Sequence, residues 1–82
     1  MGHIRAHIRL NTMQQVADFV GCINSDGTSD KYIIESFDGT YRADARSRLG
    51  VLYAMAEYND ETYLVNVDND GVFPLGIDTF RA

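Results

Sequence analysis

The residues best suited to chemistry lie around Ser47, in the stretch Arg42-Ala43-Asp44-Ala45-Arg46-Ser47-Arg48-Leu49-Gly50. Ser47 is a good N-cap for the apolar-periodic segment that follows it. Unpaired backbone amides and the positive end of a helix macrodipole would therefore face outward at this point. Arg46 and Arg48 flank the serine, and Arg42 is close in sequence. Gly50 removes a side chain where a partner or another element must come near. A phosphate bound at Ser47, or attached to it, would be stabilised by all of these features together. The plainer reading is an ordinary N-cap worth about 1 kcal/mol, with arginines that solvate the edge. Both readings stay open on spacing alone.

The other candidate groups are weaker. His3 and His7 have the i, i+4 spacing of helical zinc ligands, but they fall in a strand pattern. Four residues of strand span about 13 Å, too far for two imidazoles to share one ion, so both read as solvated strand-face histidines and no metal is assigned. Asn66-Val67-Asp68-Asn69-Asp70-Gly71 matches the first half of a calcium loop. Ile77 stands where the closing glutamate belongs, and an Asp/Asn-rich turn explains the same residues. Glu57, Asp60 and Glu61 have no basic partner or apolar pocket near them to split their pKa values, so they read as a solvated acidic edge. Cys22 is the only cysteine, which rules out an intramolecular disulfide and fits a reducing compartment. No cofactor is implied.

The elements that must position these residues come from 82 residues with 45% apolar and 23% charged side chains and a net charge of −5. That is one domain, residues 1–82, with a small core and sites at the surface. The first 52 residues are charge-balanced. The excess acidity lies beyond Leu52, where Arg81 is the only base. An acidic chain with one lysine does not suit a phosphate backbone, so nucleic-acid binding is not expected. No apolar run approaches the roughly 20 residues that span a bilayer and no signal-peptide pattern opens the chain, so a cytoplasmic location without membrane insertion is expected.

His3 to Leu10 alternates strictly, with Ile4, Ala6, Ile8 and Leu10 on one side, and reads as a half-buried strand. Asn11 or Thr12 caps a helix whose inner face is Val16, Phe19, Val20 and Ile23, ending near Asn24. Lys31 to Ser36 and Thr40 to Ala45 form a hairpin about Asp38-Gly39. Ser47 then caps a second helix with the expected buried stripe Leu49, Leu52, Tyr53 and Ala56, ending at Asn59-Asp60. Thr62 to Val67 is a fourth strand, and Pro74 is placed to start a short helix through Phe80. The β-α-β-β-α-β order predicts an α+β open-faced sandwich: a four-stranded antiparallel sheet with helices on one face.

Asp44 to Leu52 resembles the regulatory-serine segment of HPr, the histidine-containing phosphocarrier of the bacterial sugar phosphotransferase system. There a basic residue, a serine, two apolar residues and a glycine open the second helix. The resemblance runs from Ile4 to Val67 through the element order, the helix-1 spacing and the Thr62 to Val67 strand. It implies the HPr fold, and it implies that Ser47 matches the serine modified by a dedicated kinase. Matched on the helix-1 stripe, Thr12 takes the position of the phosphoryl-accepting histidine and Gln14 that of its arginine. A threonine hydroxyl does not replace a nucleophilic imidazole and neutral glutamine does not neutralise a phosphate, so phosphocarrier catalysis is not expected. Arg48 stands where the family has an apolar residue that packs against partners.

The resemblance therefore implies a non-enzymatic regulatory or adaptor module with protein partners. One alternative is a phosphocarrier or HPr-kinase substrate modified at Ser47. Another is a small α+β ligand-binding or dimerisation domain using the open sheet face, where His3, Arg5, His7 and Arg9 would matter. The oligomeric state is not specified by the sequence.

Overall fold

The computed structural model describes residues 4–82. Its elements are β1 (Ala6–Ile8), α1 (Met13–Asn24), β2 (Tyr32–Ser36), β3 (Arg42–Asp44), α2 (Arg48–Tyr58) and β4 (Thr62–Asn66). Single turns of 3-10 helix cover Asn59–Glu61 and Ile77–Phe80. The sheet is antiparallel throughout, in the order β1-β4-β2-β3. The coarse α+β arrangement of four antiparallel strands and two helices is thus the one the periodicities call for.

Alternation decides what each strand buries, because successive side chains point to opposite faces. Ala6 and Ile8 of β1, Tyr32 and Ile34 of β2 and Leu64 of β4 enter one core with Val16, Phe19, Val20 and Ile23 of α1 and Val51 and Ala54 of α2. Fully burying a side chain the size of Ile8, Ile23, Ile34 or Leu64 stabilises the fold by about 1.5–3 kcal/mol. Phe19 meets Phe80 edge to face, with centroids 5.5 Å apart, which ties α1 to the C-terminal turn.

Three boundaries or faces differ from expectation. The first strand is shorter than its alternation, and Ile4 is exposed because it has left the sheet for the 66–71 turn, where its amide donates to Asp70 Oδ1 and its side chain lies against Gly71. His3 lies outside the described residues. On α2 the buried residues are Val51 and Ala54, with Leu52 and Met55 partly buried, whereas Leu49, Tyr53 and Ala56 face out. This helix is apolar around most of its circumference, so periodicity does not select its inner face. Pro74 does not start the last helical turn. Gly76 at φ 87° reverses the chain first, and the turn begins at Ile77, which enters the core with Phe80.

The outer face of the sheet carries a polar and aromatic layer. Arg5 donates to Glu35 Oε2 at 3.0 Å and to the Phe37 carbonyl at 2.9 Å, and its guanidinium lies 4.2 Å from the Tyr63 ring centroid. His7 stacks on the same tyrosine at 4.7 Å. Its Nε2 lies 2.8 Å from the Asp60 carbonyl; that oxygen only accepts, which places the ring proton on Nε2.

Candidate functional site

Ser47 caps α2 as its sequence suggests. Its Oγ accepts from the Gly50 amide at 3.3 Å, and its carbonyl accepts from Val51 at 3.1 Å. The serine is exposed, as are Arg48 and Leu49 after it. The helix leaves the first-turn amides of Arg48 and Leu49 without intrahelical partners, pointing at solvent.

The three arginines do not converge on this serine. Arg42 projects from the outer face of β3 to Glu35, with Nε 3.3 Å from Oε1. Arg46 turns the other way. Its Nη1 donates to the Ile23 carbonyl at 3.1 Å and to Asn24 Oδ1 at 3.3 Å, and its Nη2 donates to the carbonyls of Asp30 at 2.9 Å and Thr28 at 3.3 Å. The guanidinium also lies 5.5 Å from the Tyr32 ring centroid. The last turn of α1 contains no basic residue, and Arg46 supplies the cation that its exposed carbonyls favour. Arg48 alone stays beside Ser47, with no ion pair among the described residues.

Gly50 is explained by an element of the same chain. A Cβ built there would lie 2.9 Å from Ala43 Cβ, so the glycine allows α2 to cross β3 closely. Tyr41 seals the crossing by donating its hydroxyl to the Gly50 carbonyl at 2.7 Å. Burial pushes the Tyr41 phenol up from its ordinary pKa, with a further rise from Tyr53 and Tyr58 beside it.

At the start of α1 both Thr12 and Gln14 are engaged in local hydrogen bonds. Thr12 Oγ1 accepts from the Gln15 amide at 3.1 Å, and Gln15 Oε1 accepts from the Asn11 amide at 2.6 Å. Gln14 donates to Asp18 Oδ1 at 2.9 Å. Thr12 and Gln15 thus stabilise the first turn in the reciprocal manner of a capping box displaced by one residue, and Gln14 adds an i, i+4 bond.

The Asn/Asp run folds on itself as a turn. Asn66 Oδ1 accepts from the amides of Asp68 and Asn69, and Asp68 Oδ2 accepts from the Lys31 amide at 2.6 Å. Asn66 Nδ2 donates to Asp30 Oδ2 and to the Val72 carbonyl, which satisfies a fully buried amide.

Two surface features were not singled out by sequence. The outer side of α2 presents Leu49, 79% exposed, and Tyr53, 51% exposed, one turn apart beside Ser47. Tyr53 rests on Tyr41 with centroids 4.9 Å apart. The available signal was composition: α2 has only Arg48 and Glu57 as charged residues, more apolar surface than one core-facing stripe can hide. The second feature is an open groove of about 440 Å³ on the outer sheet face, lined by Lys31, Ile33, Arg42, Ala43, Asp44 and Val67. No described helix is long and apolar enough to cross a membrane. No family model, curated protein or solved structure matches the chain.

Proposed function

We propose that the chain is an HPr-like regulatory or adaptor module that does not carry phosphate and that docks a protein partner on the outer side of α2, next to Ser47. The observation that carries this reading is the exposed apolar pair Leu49 and Tyr53 adjoining an exposed helix N-terminus. A folded domain gains little from leaving large apolar side chains at neighbouring exposed positions, and such patches mark contact surfaces. The first turn of α1 supports the non-carrier half of the reading, because Thr12 and Gln14 are engaged as capping and i, i+4 groups.

A second reading, in which Ser47 accepts a phosphate, is favoured by the exposure of Ser47 and by Arg48 beside it. A phosphate there would meet the first-turn amides and the positive end of α2. Two incubations test the readings, and the second separates them. Incubation with phosphoenolpyruvate and enzyme I of the phosphotransferase system is expected to leave the intact mass unchanged, and a phosphohistidine adduct would overturn the proposal. Incubation with HPr kinase and ATP is expected to give no serine-dependent label on the adaptor reading; label on the wild type that vanishes in Ser47→Ala establishes the second.

A further inference from the structure

The two edges of the sheet are treated differently. At the β1 edge the chain covers itself: Arg9 donates its amide to the Phe80 carbonyl at 2.9 Å, Ala82 donates to His7 at 3.0 Å, and Ile8 bridges Arg81. At the other edge β3 pairs with β2 alone, and among the described residues no strand covers its outer side. Ala45 donates to the Tyr32 carbonyl and Ser36 to the Tyr41 carbonyl. Hydrogen-bonded pairs alternate along an antiparallel ladder, so Ala43 addresses β2 while the main-chain groups of Arg42 and Asp44 fall on the open edge. The Asp44 carbonyl bends back to accept from Ser47 at 3.0 Å, which leaves the Asp44 amide and both groups of Arg42 facing outward.

We propose that this edge pairs with the β3 edge of a second copy of the chain, antiparallel and symmetric about Ala43. In that register Arg42 lies opposite Asp44 of the second copy, and Asp44 opposite its Arg42. The Asp44 amide donates to the opposing Arg42 carbonyl, and the bond occurs twice by symmetry. Exposed edges are commonly guarded by like charges that repel a copy of themselves. Here the two side chains on the outer face of the edge have opposite signs at i and i+2, so the same strand is self-complementary. The charge balance points the same way. Glu35 is shared by Arg5 at 3.0 Å and Arg42 at 3.3 Å, while Asp44 on the same face has no ion pair among the described residues, so Arg42 and Asp44 each take an opposite charge from the second copy. Ile33 and Val67 line the groove that also includes Arg42 and Asp44, and they lend it apolar surface beside the pair. The inference is independent of the role proposed for the outer side of α2.

Charge reversal tests the register. A three-residue edge makes a small interface, so association is followed by sedimentation to about 1 mM protein. Wild type is expected to show a monomer–dimer equilibrium, and Arg42→Asp and Asp44→Arg each to remain monomeric. Mixing the two variants is expected to restore association, because each then meets the opposite charge at both contacts. Thermal melts establish that each variant is folded. Should Asp44→Arg fail to fold through loss of the bond from the Arg46 amide, Arg42→Pro serves instead; it removes the side chain that pairs with Asp44 of the second copy and sets a proline ring on the open edge, and is expected to abolish the dimer. A wild type that is monomeric throughout, a dimer indifferent to Arg42→Asp or to Arg42→Pro, or folded variants that do not associate on mixing would each overturn the proposal.

Discussion

Replacing Arg46 with alanine is expected to destabilise the protein by about 3.5 kcal/mol. Of its four hydrogen bonds, those to the Ile23 and Asp30 carbonyls are partly buried, and those to Asn24 and Thr28 are exposed. A bond from a charged donor contributes about 1.5 kcal/mol at the low end of its range, and the exposed pair adds little. The contact with Tyr32 adds roughly 0.5 kcal/mol. The loss is large against the roughly 4–12 kcal/mol available to a domain of this size, and corresponds to a fall of about 14–28 °C in Tm. Urea denaturation followed by circular dichroism gives the free energy directly. Arg46→Lys should fall between wild type and Arg46→Ala, since a lysine keeps the charge but cannot span carbonyls from two segments. Arg48→Ala is the control, with an expected change within about 0.5 kcal/mol. If Arg46→Ala melts within about 2 °C of wild type, or no lower than Arg48→Ala, the structural role given to Arg46 is wrong.

Two further outcomes follow from local geometry. Gly50→Ala would normally strengthen a helix, but a Cβ 2.9 Å from Ala43 Cβ must push α2 off β3, so a net loss of about 1–2 kcal/mol is expected, partly recovered by adding Ala43→Gly; a stabilised Gly50→Ala in a urea titration would contradict the close crossing. Asp38 accepts from the Thr40 amide and from the hydroxyls of Thr40 and Ser36, which hold its carboxyl below its ordinary value of 3.8. A carboxyl lowered by folding stabilises the fold above its unfolded pKa, and that contribution is lost as pH falls through the folded value. The Tm gap between wild type and Asp38→Asn should therefore be widest above pH 3.8 and narrow in more acid solution; a gap independent of pH would remove the charged acceptor from the account.

The legible parts of the fold are those where one face is apolar and the other is not. Val16, Phe19, Val20 and Ile23 are the four residues α1 buries, because Gln14, Asp18 and Asn24 mark its other side. In β3, Arg42 and Asp44 alternate with Tyr41, Ala43 and Ala45, and the side facing the helices follows directly. In α2 the same rule has nothing to act on. Leu49, Val51, Leu52, Tyr53, Ala54 and Met55 surround the axis, so the sheet selects Val51 and Ala54 and leaves Leu49 and Tyr53 outside.

Ser47 shows the same division at the candidate site. Its capping role is local, set by a hydroxyl at the start of a helix three residues from the amide it accepts, and was readable from residue type and spacing. The fate of its neighbours was not. Arg42, Arg46 and Arg48 are adjacent along the chain, yet β3 sends the first to Glu35 on the outer face, the second packs into the carbonyls closing α1, and only the third remains by the serine. Gly50, which suggested the close approach of a partner or of another element, makes room for Ala43 of β3. The sequence by itself determined the caps, the turns and the elements with a clear inner face, because those depend on interactions within a few residues. The tertiary structure decided which charges share a site and which apolar surface is left over, since both depend on segments some 20 residues apart being brought into contact.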